Sequence, residues 1–159
     1  KRCLVGSEMC IRDSSRSDTQ LCLEVVDLDL YKTLNGFVKK AFEQYTSVYS
    51  GILQNNDPVS TWTTKVQKTK AGGGYHQWHC ENGQFLYRDR VLAWMVYLNT
   101  VPSQSGGGTD FLHQKLTLQP EAGTIVLWPA SYTHVHRGGF LTGNVDKYIA
   151  TGWFIREPT

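Results

Sequence analysis

The sequence has no run of the roughly 18 to 20 uninterrupted apolar residues that a bilayer-spanning helix needs, so it reads as a soluble chain. It also has no block of like charge. Its 16 basic side chains against 14 acidic give a formal net charge of +2, and nothing in that balance points to nucleic acid or a membrane surface as a partner. Internal repeats and low-complexity tracts are absent. With 159 residues the chain fits one domain with a real core, and one site is expected.

Nor is there a secretory leader, since Lys1 to Ser14 shows no ordered n-region, h-region and cleavage site. The run Leu4 to Ser14 resembles a translated transposase sequencing adapter, and residues 1–14 are set aside from fold reasoning, with Cys3 and Cys10 among them. Cys22 and Cys80 then remain. Two cysteines far apart fit a reducing cytoplasm better than a disulfide-stapled secreted domain, with a single bridge as the alternative. A cytoplasmic location is the expectation.

Past that run, Leu21 to Val26 suits an edge strand, and from Asp29 to about Tyr49 the apolar residues Leu30, Leu34, Phe37, Val38, Ala41, Phe42 and Tyr45 fall at helical spacing. Asp29 suits the N-cap and Gly51 the stop. Gln54 to Pro58 is dense in turn formers. From Thr61 the chain becomes a series of short strand candidates near 61–70, 75–80, 91–99, 109–118, 123–128, 132–137 and 146–155. One amphipathic helix ahead of many short strands predicts a mainly β, α+β fold: a double-stranded β-helix, or jelly roll, of cupin-like type. Residues 19–58 would support a core over 59–159 within one domain.

The densest chemical signal is Gly72 to Asn82, GGGYHQWHCEN. His79 and Glu81 stand two apart, and on a strand such residues share a face, so an imidazole and a carboxylate can reach one metal if a third ligand arrives from elsewhere. Trp128 to Gly138, WPASYTHVHRG, offers it. Two histidines and one carboxylate form the facial triad that holds iron(II) on one side and leaves adjacent positions open for a keto acid and dioxygen.

The order WHCEN, YLN at Tyr97 to Asn99, GGGTDF at Gly106 to Phe111, WPASYTH at Trp128 to His134 and DKYIATGW at Asp146 to Trp153 resembles the prolyl-4-hydroxylase-like 2-oxoglutarate oxygenase family over about Thr61 to Phe154. The resemblance implies iron ligands at His79, Glu81 and His134. It also implies Lys147 as the cation for the far carboxylate of 2-oxoglutarate, a dianion with only one end compensated by iron. Thr151 and Trp153 share the face of Lys147 by the period of two, the first as a donor to that carboxylate and the second as a wall. Tyr97 would add a phenolic donor. Thr109 suits support of the sheet edge, and Arg90 suits either a substrate contact or a solvated strand end.

Other histidines keep plainer readings: His76 on the opposite face, His113 structural or exposed. His136 shares a face with His134, so HVH could coordinate through either, and register against WPASYTH favours His134. Gly72 to Gly74 has no Lys-Ser/Thr after it and reads as a hairpin turn rather than a phosphate loop. Two departures from the family pattern stand out. Thr69 occupies the place of a common tyrosine donor, and Glu81 replaces the commoner aspartate. A retained carboxylate argues for hydroxylation over halogenation.

The reaction implied is oxidative decarboxylation of 2-oxoglutarate to succinate and carbon dioxide, coupled to hydroxylation of a C–H bond. Iron supplies the chemistry, and the resemblance adds ascorbate as a reductant. A metal-binding jelly roll without turnover and a zinc hydrolase are the competing readings; the latter would leave Lys147, Thr151 and Tyr97 without a task. The prime substrate, peptide or metabolite, would meet the loops Gln54 to Ser60, Phe85 to Arg88 and Gly138 to Val145.

Overall fold

The computed structural model describes residues 9–12, 16–54, 58–83 and 87–157, with residues 9–12 and Arg16 described through the backbone alone. The adapter-like run, the turn at Gln54 to Pro58 and the loop Phe85 to Arg88 fall partly outside the described residues. Met9–Arg12 (β1) nevertheless pairs antiparallel with Arg16–Cys22 (β2), with Met9 opposite Gln20 and Arg12 opposite Ser17. Side-chain alternation could not have marked it, because a ladder is built from backbone N–H and C=O groups that every such residue carries. Cys22 is disulfide-bonded and Cys80 is free, so a bridge is present but does not join these two.

The expected edge strand at 21–26 ends at Cys22, and Leu23–Val26 (α1) closes one helical turn. The long amphipathic segment is helical over Leu28–Val48 (α2). Its cap is Asp27, whose Oδ1 accepts the N–H of Leu30 at 2.9 Å, rather than Asp29. Asp29 lies in the first turn, where its charge still meets the positive end of the helix. Gly51 does not stop the helix; the chain passes at Tyr49 into a 3-10 turn over Ser50–Leu53.

The strands after α2 are Val59–Thr69 (β3), Gly74–Tyr75 (β4), Arg90–Tyr97 (β5), Thr109–Phe111 (β6), Leu116–Leu118 (β7), Ile125–Pro129 (β8), His136–Gly138 (β9) and Lys147–Arg156 (β10). Seven of the strands form one sheet in the order β1-β2-β3-β10-β5-β8, with β4 also on β2; β7-β6-β9 form a second. Three expected strands are shorter or divided. The 75–80 candidate keeps only Gly74–Tyr75, the 109–118 candidate folds into the β6–β7 hairpin, and the 132–137 candidate begins with a 3-10 turn over Tyr132–His134.

Alternation along β5 divides the core. Leu92, Trp94 and Val96 face α2 and pack with Val38, Ala150 and Phe154. Ala93, Met95 and Tyr97 face the second sheet and pack with Phe111, Trp128 and Trp153. Phe42 of α2 stacks on Phe154 with ring centroids 4.2 Å apart. Large apolar side chains on both faces of β5 thus fasten the helix outside and the site inside one strand layer.

Two irregularities interrupt the pairing of β10. Opposite β3 the register slips between Gly152 and Trp153, where Thr63 takes a φ of 56°. A Cβ at Gly152 would collide with the carbonyl oxygen of Thr63 and come within 2.6 Å of the Trp94 ring. Opposite β5 the register slips between Phe154 and Ile155, so Phe154 faces Leu92 while Ile155 faces Arg90 and Val91 is passed over. The bulge turns Arg90 from the helix side, where alternation with Leu92 and Trp94 would put it, to the site side beside Trp153.

Among the described residues no helix is long and apolar enough to cross a membrane.

Candidate metal centre

His79 and His136 exchange both backbone hydrogen bonds, His79 N–H to His136 O at 3.0 Å and His136 N–H to His79 O at 2.9 Å. Residues paired in this way share a face, and their rings stand 4.4 Å apart. Two residues on, the Glu81 N–H donates to the carbonyl of Ala130 at 2.8 Å, which keeps the segment extended beyond the bridge. His79, Glu81 and His136 therefore converge, with one ligand atom from each lying within 4.8 Å of the others.

The third residue is His136, not His134. A shared face for the two histidines requires a continuous strand, but His134 closes the 3-10 turn and only His136 has entered β9. The His134 ring is directed to the Thr133 hydroxyl, with Nδ1 at 3.1 Å. Burial, with the charges of His136 and His113 nearby, lowers the His134 pKa.

Each converging imidazole is oriented by a backbone carbonyl. His79 Nδ1 lies 2.8 Å from Gln77 O and His136 Nδ1 lies 2.9 Å from His134 O. A carbonyl only accepts, so the proton sits on Nδ1 and the Nε2 lone pair is left for the centre. Glu81 Oε1 stands 3.6 Å from His79 Nε2 and 3.3 Å from His136 Nε2. Burial opposes the Glu81 charge, but the neighbouring imidazoles of His136 and His79 outweigh it and hold the carboxyl well below its usual range. Three lone-pair donors this close repel one another unless a cation stands between them, either a proton on an imidazole or a metal ion. The donor set fits a divalent metal that accepts mixed nitrogen and oxygen ligands.

The cleft over this centre has a volume of about 800 Å³ and is floored by alternate residues of β3 (Lys65, Gln67, Thr69) and β10 (Lys147, Ile149, Thr151, Trp153). Lys147 is 7 % exposed and stands directly opposite Thr69. Its Nζ donates to Gly107 O at 2.6 Å and lies 5.5 Å from the Tyr97 ring centre. Burial pulls its pKa down to about 8 against the pull of Asp110. An ammonium carries three donors, so two remain for a ligand in the cleft.

Two expected donors are already committed. Tyr97 is fully buried, and its hydroxyl donates to Thr109 Oγ1 at 2.8 Å, with Leu118 O at 3.2 Å. Burial raises the Tyr97 pKa to about 12 despite that bond. Thr151 lines the cleft, but its hydroxyl proton goes to Trp94 O at 2.7 Å. Trp153 does more than wall the cleft: its Nε1 donates to Glu81 Oε2 at 2.8 Å. His76 stays outside the centre, stacked on Phe140 with its Nδ1 2.9 Å from Gly138 O, and His113 is exposed.

The sequence profile of the 2OG-Fe(II) oxygenase superfamily matches residues 64–155, which hold every residue of this site. The chain belongs to the 2OG-Fe(II) oxygenase superfamily. It is a 2-oxoglutarate-dependent dioxygenase, and the family implies iron(II), 2-oxoglutarate and dioxygen as its metal and co-substrates. Its fold is similar to that of three solved members, each below 25 % identity.

One is a Trichoplax adhaerens prolyl hydroxylase in complex with a hypoxia inducible factor peptide fragment (TM-score 0.74, 18 % identity, covering 96 % of this chain and 71 % of that one). Another is a prolyl-4-hydroxylase of Pseudomonas putida (0.69, 18 %, 95 % and 78 %). The third is a viral collagen prolyl hydroxylase from Paramecium Bursaria Chlorella virus-1 with 2OG (0.67, 21 %, 90 % and 81 %). No curated protein sequence matches the chain. The mainly β architecture of this oxygenase is the expected jelly roll.

Two contributors to the site were not given these roles from the sequence. Tyr75 stacks on His79 with ring centres 4.0 Å apart, and Arg90 pairs with Glu81 at 3.2 Å. Tyr75 carried a signal in GGGYH, which ends a glycine turn next to the first ligand. Arg90 was left between a substrate contact and a solvated strand end, because a bulge decides its face.

Proposed function

We propose that this oxygenase hydroxylates a C–H bond of a peptide or small metabolite, holding iron(II) through His79, Glu81 and His136 and the far carboxylate of 2-oxoglutarate through Lys147. The observation that carries the reading is the pair of Nδ1-anchored imidazoles aimed with one carboxylate oxygen at a common point, in a cleft whose floor ends in a buried lysine. Bound iron(II), with 2-oxoglutarate and dioxygen, would supply the oxidative decarboxylation to succinate and carbon dioxide and the oxidising power for the C–H bond.

The protein's part is placement. Lys147 fixes one end of the keto acid by charge and hydrogen bond, with Thr69 opposite it and Ile149 alongside in the cleft floor. Three ligands on one side leave the other positions to the co-substrates. The outer rim carries Arg137, which is paired with Asp110 at 3.0 Å and stacked over Trp78 at 4.4 Å, a flat cationic and aromatic edge for a prime substrate. Ascorbate would serve as the reductant that restores oxidised iron.

The test is succinate formation from 2-oxoglutarate under iron(II) and oxygen, followed by a screen of peptides and metabolites for stimulated decarboxylation. Decarboxylation that depends on iron and is lost in His79→Ala supports the reading. Iron binding with no succinate under any substrate would contradict it.

A further inference from the structure

The two oxygens of Glu81 have different neighbours. Oε1 faces His79 Nε2 and His136 Nε2 at 3.6 and 3.3 Å. Oε2 is turned away and receives two donors, Trp153 Nε1 at 2.8 Å and Arg90 Nη1 at 3.2 Å, while the same Nη1 also reaches the Glu81 carbonyl at 3.2 Å. Arg90 in turn has no freedom to leave. It is 8 % exposed, and its guanidinium carbon lies 4.0 Å from the centre of the Tyr87 ring and 3.6 Å from that of Trp153, so the plane is held between two aromatic faces. The β5–β10 bulge at Val91 turns it to this side.

We propose that Arg90 is a positioning residue for the metal carboxylate: clamped between Tyr87 and Trp153, it holds Glu81 Oε2 and so presents Oε1 alone to the metal. This inference rests on the metal-ligand reading above. The longer glutamate side chain makes the clamp necessary. Glutamate has one more rotatable bond than aspartate, and an untethered carboxylate at this distance could turn both oxygens to a metal and occupy the open position left for dioxygen rather than that of 2-oxoglutarate. Two donors on Oε2 use up the lone pairs that would make that second bond and fix the rotamer before the metal arrives. A solvated strand end, one of the roles open to Arg90 from sequence, would have neither the burial nor the two rings.

The test is a titration of the metal-free full chain with cobalt(II), read by ligand-field absorption, on the wild type and on Arg90→Met, Arg90→Lys and Trp153→Phe. Arg90→Met should bind cobalt about 10- to 100-fold more weakly, the range typical for loss of a side chain that orients a ligand. Its absorption bands should also shift as the carboxylate changes its mode of binding. Arg90→Lys, which keeps the charge without the fork, should recover part of the loss.

The same Arg90→Met change in a Glu81→Asp background should weaken binding by less than about threefold, because the shorter side chain cannot reach both Arg90 and the metal point. With metal saturating, the KM for 2-oxoglutarate should stay within about threefold of wild type in Arg90→Met while kcat falls. Unchanged cobalt affinity and bands in both Arg90 variants would overturn the proposal, as would an equal loss in the aspartate background. If Arg90→Met does not fold, Arg90→Lys and Trp153→Phe carry the same comparison. A His136→Ala control keeps the two claims apart. If it binds cobalt as wild type does, the ligand set is wrong; if it loses cobalt while the Arg90 variants do not, only the clamp is wrong.

Discussion

Lys147 is buried in the cleft floor and its pKa is pulled down to about 8, so the affinity for 2-oxoglutarate should depend on pH in the range where the enzyme is assayed. The dianion binds the protonated lysine. As pH rises through that value the ammonium is lost and affinity falls, the direction expected of a cation with a depressed pKa. Between pH 7 and pH 9 the charged fraction drops from about nine-tenths to about one-tenth, so the apparent KM should rise roughly tenfold.

Lys147→Arg keeps its charge over this range and should flatten the profile, while its larger fork raises KM at every pH. Lys147→Ala removes a buried charge-assisted pair of about 3 kcal/mol, hence about a hundredfold in KM at pH 7, and should leave no pH dependence. The assay is carbon dioxide release from carboxyl-labelled 2-oxoglutarate at saturating iron(II). A wild-type KM that does not change from pH 7 to pH 9, or less than a threefold change in Lys147→Ala, would refute Lys147 as the carboxylate's partner.

Tyr97→Phe should cost about 1 kcal/mol in thermal unfolding, since it removes one net hydrogen bond to Thr109, yet it should change the KM for 2-oxoglutarate by less than about twofold. A tenfold change would instead make the phenol a co-substrate donor. Gly152→Ala should lower stability by about 3 kcal/mol, roughly 10 °C in Tm, because its Cβ has only the Thr63 carbonyl and the Trp94 ring to move against. A Tm within about 2 °C of wild type would show that the bulge relaxes at little cost.

The long helix and the strands β3, β5, β8 and β10 were legible in sequence because each buries a face with its own period, and the chemistry of GGGYHQWHCEN and DKYIATGW stood out beside them. What was hidden lay where the period breaks. The choice between His134 and His136 depended on a 3-10 turn that ends one residue before β9, and no count of alternating residues shows where a turn becomes a strand. Arg90 was hidden for the same reason by the bulge at Val91. Tyr97 and Thr151 were placed on the correct strands, but their protons go to Thr109 and to the Trp94 carbonyl, partners distant in sequence. Helix capping shifted by two residues, from Asp29 to Asp27, since either aspartate could supply the acceptor and the backbone geometry decides which does.

The claim on which the rest depends is that His136, with His79 and Glu81, holds the metal. Iron(II) binding to the metal-free chain, measured anaerobically with 2-oxoglutarate present, compares His136→Ala with His134→Ala most directly. The expected result is one tight site in the wild type and in His134→Ala, and a loss of at least a hundredfold in affinity in His136→Ala, about 3 kcal/mol. The opposite pattern, with His134→Ala losing iron and His136→Ala keeping it, would contradict it.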